Sequence, residues 1–210
     1  MTDGANAETL QTYESRADLY RDTSRAPQGG WLMDFFDRIA GSLPPGARVL
    51  ELGSATGANA RVLVGKGLQV RPSDATRSFL EMMRADGLEP AALNALTDDL
   101  GGPWEAVVAF AVFLHFSPDE LARVLTKVRH GIGAGGVLAI TVKEGDGSAW
   151  SEHKLGLPRH FTYWRSRQLQ ELLEANGWRV ESLDCRQGHR DRWLLVLARP
   201  APAASDMVSE

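Results

Sequence analysis

The clearest candidate for a functional site in this sequence is a glycine turn that directly follows a short apolar run. The run Val49–Leu52 ends in Gly53-Ser-Ala-Thr-Gly57, and a helix-compatible segment follows from Ala58. A strand, a glycine turn and a helix together bring backbone N–H groups and the positive end of a helix up to a ligand. The two glycines let the backbone bend sharply and approach that ligand closely. The turn therefore predicts a ligand-binding site.

Three ionisable side chains follow later apolar runs and could serve the same ligand. Asp74 comes about 20 residues after the turn, where a carboxylate can accept hydrogen bonds from both hydroxyls of a ribose. His115 could be a general base, since the ordinary pKa of histidine is about 6.5, and Glu144 could be a base or hold a substrate amine. Each also has a structural interpretation: Asp74 at a helix start, His115 bonded within a turn, and Glu144 as a solvated loop carboxylate.

Alternating strands and helices are predicted to position these residues. The hydrophobic pattern predicts helices over about 10–20, 31–43, 58–64, 76–84, 117–132 and 166–177. It predicts strands over about 49–52, 68–74, 91–93, 104–113, 137–142, 178–186 and 193–198, with a long loop over 144–158. Such alternation is typical of a mainly parallel α/β sheet with helices on both faces, closed here by an antiparallel hairpin.

Two helix starts carry capping signals. Ser117 followed by Pro118 is the stronger one. Ser78 and Glu81 have the spacing of a capping box. Between residues 24 and 30, Pro27 and two glycines predict a break between the first two helices.

The composition favours a single globular domain in the cytoplasm. The chain has 210 residues, of which 43% are hydrophobic and 24% charged, and its net charge is −4. Lys and Arg are scattered, which argues against a nucleic-acid partner. The only cysteine, Cys185, excludes an intramolecular disulfide and a cysteine-based metal site. No apolar run reaches membrane-spanning length, so we expect no membrane partner.

Two cofactors bind a glycine turn followed by an acidic strand end: a nicotinamide dinucleotide and S-adenosylmethionine. A dinucleotide pattern G-x-G-x-x-G beginning at Gly53 would need glycine at Ala55 and Ala58, and Gly57 is out of register. No Tyr-x-x-x-Lys pair occurs in the sequence either. The residues favour S-adenosylmethionine.

From about Tyr13 to Leu197 the chain resembles the class I S-adenosylmethionine-dependent methyltransferases. Glu51-Leu-Gly-Ser-Ala-Thr-Gly57 is similar to the E/D-x-G-x-G-x-G motif of that family, and Asp74, the strand near 106–115 and the turn at 133–137 continue the likeness. The resemblance implies a single Rossmann-like, doubly wound α/β fold with a seven-stranded sheet in the order 3-2-1-4-5-7-6, strand 7 being antiparallel. It implies N-terminal helices forming a lid or substrate wall (1–44) and a cofactor-binding core (45–199). The Ala-, Pro- and Ser-rich composition of residues 200–210 predicts a disordered tail.

The resemblance also implies a set of cofactor contacts. Glu51 would place the ammonium, Asp74 the ribose and Tyr20 the carboxylate, although Tyr20 could equally be a packing aromatic. Ala55 replaces the middle glycine of the motif, and Asn94 replaces a frequent aspartate near the adenine, where an amide oxygen can still accept a hydrogen bond. The full set is Tyr20, Glu51, Gly53, Ser54, Ala55, Gly57, Asp74, Ala75, Asn94, Ala95, Phe110 and Ala111.

The reaction expected of this family is a direct displacement at a sulfonium methyl group. The protein must align the reactants and exclude water, and it needs a base only when the nucleophile is protonated. His115 and Glu144 are the catalytic candidates. Candidate substrate contacts are Tyr13, Trp31, Trp150, Arg159, His160 and Tyr163.

The absence of two motifs from the sequence narrows the range of possible methyl acceptors. No Asn/Asp-Pro-Pro-Tyr/Phe/Trp motif follows the fourth strand, which disfavours amino groups of nucleobases or glutamine as acceptors. No Asp-Asn pair stands where magnesium-dependent catechol methyltransferases carry one, so we expect no metal. The sequence predicts methyl transfer to an O, N or S atom of a small molecule by a monomer or homodimer. Alternatives are other S-adenosylmethionine chemistry, such as aminopropyl-type transfer or cyclisation, and a non-enzymatic cofactor-binding regulator.

Overall fold

The structure, a computed structural model, describes residues 4–24 and 28–202. Its helices are α1 (Gly4–Ser15), α2 (Ala17–Thr23), α3 (Trp31–Gly41), α4 (Ala58–Gly65), α5 (Arg77–Ala85), α6 (Pro118–Gly131) and α7 (Ser166–Ala175). Its strands are β1 (Arg48–Glu51), β2 (Gln69–Asp74), β3 (Ala91–Ala92), β4 (Trp104–Phe110), β5 (Ile132–Lys143), β6 (Ser148–Ser151), β7 (Arg159–Thr162), β8 (Trp178–Gln187) and β9 (Arg192–Pro200).

A seven-stranded sheet with the order β3-β2-β1-β4-β5-β9-β8 forms the centre of the molecule. Strands β1 to β5 are parallel to one another, whereas β9 is antiparallel to both β5 and β8. The predicted sheet order and its antiparallel seventh strand are therefore confirmed. The order reverses beside β1, so the carboxyl ends of β1, β2 and β4 surround the point where ligands bind in such sheets.

The alternation of side chains along the central strands divides the core into two layers. Leu50, Val107 and Ala109 pack on one face with apolar residues of α6 and α7, and Val49, Ala106 and Val108 pack on the other. Phe35, Phe36 and Ile39 of α3 are fully buried in that second layer. Because α3 is part of the core, only α1 and α2 of the expected 1–44 wall can cover a site.

The two capping expectations have opposite outcomes. Ser117 Oγ accepts from the Glu120 N–H at 3.3 Å and Glu120 Oε2 accepts from the Ser117 N–H at 3.0 Å, which is a complete capping box. The box predicted at Ser78 and Glu81 is wrong. Helix α5 begins at Arg77, Glu81 pairs with that arginine, and Ser78 Oγ is bonded to Glu14.

Two parts of the N-terminal and loop expectations differ from the structure. The helix predicted over 10–20 is two helices, α1 and α2, separated at Arg16. The loop predicted over 144–158 contains strand β6, which pairs antiparallel with β7. Both strands have only four residues, so their periodicity is too short to read from sequence. Part of the predicted 24–30 break and most of the predicted tail, from residue 203, lie outside the described residues.

Candidate functional site

Two adjoining cavities open at the carboxyl ends of the parallel strands. The strand-end cavity has an empty volume of about 710 Å³, which includes part of its opening to solvent. It is lined by Asn6, Thr9, Leu10, Tyr13, Tyr20, Leu52, Gly53, Ala55, Asp74, Ala75, Thr76, Phe79, Leu93, Asn94, Ala95, Phe110, Ala111, Val112, His115 and Phe116. Nine of the twelve predicted cofactor contacts are among these residues.

The hairpin cavity lies beside the first and is named for the β6–β7 hairpin that borders it. Its empty volume is about 1160 Å³ and includes part of its mouth. It is lined by Tyr13, Tyr20, Thr23, Ala111, Leu114, His115, Lys143, Ser151, His153, Lys154, Arg159, Phe161, His189, Arg190, Asp191 and Trp193. Tyr13, Tyr20, Ala111 and His115 line both cavities and so form their common wall.

The glycine turn after β1 is sterically fixed. Gly53 has φ +65°, and a Cβ atom there would lie 2.5 Å from Val112 Cγ2. Gly57 has φ +74°, and a Cβ atom there would lie 2.4 Å from Leu88 Cδ1. Both positions therefore require glycine, on conformational and steric grounds. Gly57 and Ser54 shape the turn without lining the cavity.

Two alanines that line the strand-end cavity adopt the left-handed region. Ala55 has φ +48° and Ala111 has φ +57°. Such values are uncommon for residues other than glycine, asparagine and aspartate, and they cluster at functional sites. Neighbouring side chains hold both: the Ala55 N–H donates to Asp74 Oδ2 at 2.8 Å, and the Ala111 N–H donates to Thr141 Oγ1 at 3.0 Å.

Asp74 ends β2 and lies 6% exposed on the cavity wall. Its two oxygens accept from the N–H groups of Ala55 and Thr76, each at 2.8 Å. Burial raises the pKa of Asp74, and these backbone hydrogen bonds oppose that shift. A carboxylate offers about four acceptor positions. Asp74 can therefore hold the turn and still accept hydrogen bonds from ligand hydroxyls.

Glu51 ends β1 and is buried beneath the turn, behind the residues that line the cavity. Burial raises its pKa to about 7, and the charge of Asp74 adds to the shift. Its Oε2 atom has no hydrogen-bond partner among the described residues. A buried acceptor without a donor is rare in proteins. The carboxyl group is therefore suited to a cationic ligand group or to a bridging water.

Beyond Asp74, the wall of the strand-end cavity is largely apolar and includes one side-chain amide, that of Asn94. Asn94 Oδ1 accepts from the Leu96 N–H at 2.9 Å, and Ala95 lies beside it. Phe79 of α5 faces the same space and meets Tyr20 edge to face, with ring centroids 5.2 Å apart. Sequence reasoning missed Phe79 because its helical spacing with other apolar residues reads as ordinary core. Phe110 forms part of the opposite surface and packs on Phe36.

The common wall contains a hydrogen-bonded chain of three side chains. His115 Nδ1 lies 2.6 Å from the His160 carbonyl oxygen, so this nitrogen carries the proton and donates. His115 Nε2 then accepts from Tyr13 Oη at 3.0 Å, and Tyr13 Oη accepts from Arg159 Nη1 at 3.3 Å. Burial lowers the pKa of His115 to about 3 and raises the pKa of Tyr13. Both groups are therefore neutral at physiological pH.

The hairpin cavity is strongly basic. Four Lys and Arg side chains and one carboxylate, Asp191, line it, although the whole chain carries a net charge of −4. Asp191 is already paired with Lys143 at 2.8 Å. Lys154 donates to Ser24 Oγ at 2.6 Å, and its ammonium lies 4.1 Å from the centroid of the Tyr20 ring. The hairpin is thereby tied to the end of α2.

Several predicted site residues do not reach either cavity. Trp31 packs on Trp193 in the core, Trp150 is 46% exposed on β6, and Tyr163 packs on Gly145. His160 contributes its backbone carbonyl, while its ring packs on Trp150. Glu144 pairs with Arg165 at 3.3 Å and with Arg192 at 3.1 Å. That carboxylate is engaged away from the cavities and does not face a ligand there.

The described ranges lack two further kinds of feature, a metal-binding cluster and a membrane-spanning helix. No group of three or more His, Cys, Asp or Glu side chains in 4–24 and 28–202 is arranged to hold a metal ion. In the same residues, no helix has both the length and the apolar character needed to cross a bilayer.

Comparison with known proteins gives one family match and many structural likenesses. Residues 25–183 match the family described as a methyltransferase domain. A comparison with curated protein sequences found no match. The structural likenesses reported below are all under 25% identical and therefore show the fold.

Three solved structures illustrate the likeness. A DhpI–SAH complex is 22% identical, with TM-score 0.71, covering 97% of this chain and 100% of that one. The 1,6-didemethyltoxoflavin-N1-methyltransferase of Burkholderia thailandensis, with bound 1,6-didemethyltoxoflavin and S-adenosylhomocysteine, is 17% identical, with TM-score 0.72, covering 94% and 87%. The magnesium protoporphyrin IX methyltransferase of Synechocystis PCC 6803, with bound S-adenosylmethionine, is 13% identical, with TM-score 0.71, covering 95% and 98%.

Proposed function

The chain belongs to the class I S-adenosylmethionine-dependent methyltransferases, and from that premise we propose that it methylates a small molecule held in the hairpin cavity. Its cofactor is S-adenosylmethionine. The observation that carries the proposal is the common wall of Tyr13, Tyr20, Ala111 and His115, through which the two cavities adjoin. A cofactor in one cavity and an acceptor in the other would meet at that wall.

The residues of the strand-end cavity fit the cofactor. Asp74 would accept the ribose hydroxyls, and Glu51, with its unpartnered Oε2, would neutralise the ammonium directly or through water. Asn94, Ala95 and Phe79 would enclose the adenine. When bound, S-adenosylmethionine supplies an electrophilic methyl group, so the protein contributes alignment and exclusion of water.

The common wall aligns the acceptor in this proposal. His115 is fully engaged, donating to a backbone carbonyl and accepting from Tyr13, and its pKa of about 3 makes it a weak base. We therefore assign His115 the role of positioning Tyr13, which lines both cavities. Glu144 has no catalytic role in this proposal, because its carboxylate is bound to two arginines outside the cavities.

Helices α1 and α2 act as the lid in this proposal. They supply Tyr13 and Tyr20 to both cavities, and side-chain hydrogen bonds join them to the β6–β7 segment and to Ser78 of α5. Lid closure over the common wall would exclude water from the reacting atoms. Small-molecule acceptors are also the substrates named for two of the similar structures.

The proposal is tested by incubating the protein with S-adenosylmethionine and a panel of small O, N and S acceptors. We expect S-adenosylhomocysteine and a product heavier by one methylene group, measured by mass spectrometry. Release of methylthioadenosine instead would overturn the proposal in favour of aminopropyl-type transfer or cyclisation. Asp74→Ala should abolish detectable S-adenosylhomocysteine binding in calorimetry with the fold retained, whereas Asp86→Ala, on the surface after α5, should leave it unchanged.

A further inference from the structure

We propose that the hairpin cavity recognises its acceptor through a compact oxyanion, a carboxylate or a phosphate, and that Arg159 is the residue that pairs with it. The inference rests on the proposed role of this cavity as the acceptor site. It goes further by naming the chemical class of the acceptor and the residue that selects it.

Arg159 is a buried cation without a counter-charge in the described part of the chain. Its relative exposure is 6%, and it forms no ion pair with any carboxylate of residues 4–24 and 28–202. Its Nε atom has no hydrogen-bond partner, and Nη1 donates only to Tyr13 Oη at 3.3 Å. The guanidinium otherwise lies near the aromatic rings of Tyr13 and Phe161. Buried charges in proteins are ordinarily paired, so this group is arranged for an anion that comes from outside the chain.

The surroundings of Arg159 strengthen the attraction for an anion. Lys154 and Arg190 line the same cavity, and Asp191, the one carboxylate that the described residues contribute to it, is already bound to Lys143. Burial lowers the pKa of Lys154 to about 8, and the charge of Arg159 adds to that shift. A guanidinium presents parallel N–H donors that match a carboxylate or phosphate, and its pairing with either is strong in a water-poor site.

The position of Arg159 separates the acceptor from the other available anion, the carboxylate of the cofactor. Arg159 lines the hairpin cavity and does not line the strand-end cavity. Among the described residues, the guanidinium of Arg159 forms one hydrogen bond, to Tyr13 on the common wall. An anion bound to Arg159 from the hairpin side would therefore hold the rest of the acceptor against the wall that faces the cofactor.

The test measures oxyanion binding to the S-adenosylhomocysteine-loaded protein by calorimetry and thermal shift. The probes are benzoate, phenyl phosphate and inorganic phosphate, with benzamide as the neutral counterpart of benzoate. We expect saturable binding of at least one oxyanion and none of benzamide. The dissociation constant should rise at least tenfold in Arg159→Met and less in Arg159→Lys. It should not change in Arg167→Met, a control on the exposed face of α7. Benzoate and phenyl phosphate distinguish the two oxyanion classes.

Three results would overturn the inference: no oxyanion binds, benzamide binds as well as benzoate, or Arg159→Met weakens S-adenosylhomocysteine binding as much as oxyanion binding. The last result would assign Arg159 to the cofactor carboxylate. If circular dichroism shows that Arg159→Met is unfolded, oxyanion binding is compared with S-adenosylhomocysteine binding in Arg159→Lys and Lys154→Met instead. Oxyanion binding without methyl transfer to any acid acceptor would contradict the proposed function but support the oxyanion site. Methyl transfer to neutral acceptors without oxyanion binding would support the proposed function but contradict the oxyanion site.

Discussion

At the residue scale, Glu51 should couple cofactor binding to the release of a proton. Its carboxyl group is buried, Oε2 has no partner, and its pKa is raised to about 7 from an ordinary 4.5. A cation placed beside it favours the ionised form and lowers that pKa. Cofactor binding near pH 6.5 should therefore release up to about one proton, and affinity should increase as the pH rises through 7.

This linkage is measured by calorimetry of S-adenosylhomocysteine binding in buffers with different ionisation enthalpies. Glu51→Gln should bind more weakly and release no proton. Enthalpies that are independent of the buffer in the unaltered protein would rule the linkage out. The raised pKa also means that the stabilising contribution of this group is present below pH 4.5 and lost as the pH rises through 7. Above pH 7, Glu51→Gln should therefore raise the stability of the cofactor-free protein, by at most ~3 kcal/mol.

Ala55 is the second residue-scale case, because it occupies a glycine-like conformation. Its φ of +48° lies in the left-handed region, which costs an alanine roughly 1–2 kcal/mol. Glycine adopts this region freely but gains entropy in the unfolded chain. Ala55→Gly should therefore stabilise the protein by about 0.5–1 kcal/mol, measured by urea unfolding, with the Asp74 hydrogen bond retained. The control Ala58→Gly, at the start of α4, should destabilise it by about 0.5–1 kcal/mol; equal losses in both variants would contradict the strain argument.

At the element scale, α1 is held to the body by polar groups. The buried residues of this helix are Asn6, Thr9 and Thr12, so few apolar contacts fix it in place. Thr9 Oγ1 accepts from the His160 N–H at 3.0 Å, and Thr12 Oγ1 donates to the Pro158 carbonyl at 2.7 Å. Such an attachment can open and close at small cost in free energy, since water replaces the lost hydrogen bonds. This is the expected construction of a lid.

Thr12→Val tests the lid by removing one of these hydrogen bonds at constant volume. The loss of roughly 1 kcal/mol from the closed form should weaken S-adenosylhomocysteine binding about fivefold. The midpoint of global unfolding should hardly move, because α1 lies outside the two core layers. The matched control is Thr126→Val, which removes an exposed hydroxyl of α6 and should change neither quantity. Unfolding of the whole protein by Thr12→Val would show that α1 is part of the cooperative core.

At the scale of the whole molecule, the sequence predicts the frame, which is the central sheet and the helices packed on it, better than it predicts the binding site. The sheet order follows from alternating strands and helices together with the likeness at Glu51–Gly57, because right-handed crossovers leave few topologies. Most of the cofactor side is predictable too, since its residues end successive strands. The hairpin cavity is not, because β6 and β7 are short and the cavity is completed by residues far from them in sequence, such as Tyr13 and Arg190. The sequence predicts Arg159 as a substrate contact on a loop, but only the three-dimensional structure shows that it is buried and that the described residues give it no counter-charge.

The same division between frame and site predicts how the molecule responds to its cofactor. The central strands β1, β4 and β5 are buried on both faces, whereas α1, α2 and the hairpin are joined by hydrogen bonds such as the one from Lys154 to Ser24. Amide exchange follows local opening, which is cheapest where few apolar contacts are broken. S-adenosylhomocysteine should therefore slow exchange in residues 4–23 and 148–162 at least tenfold and leave the central strands unchanged, measured by mass spectrometry. Lys154→Met should reduce the protection in the N-terminal segment. Protection confined to the glycine turn would mean that the helices and hairpin do not close over the cofactor.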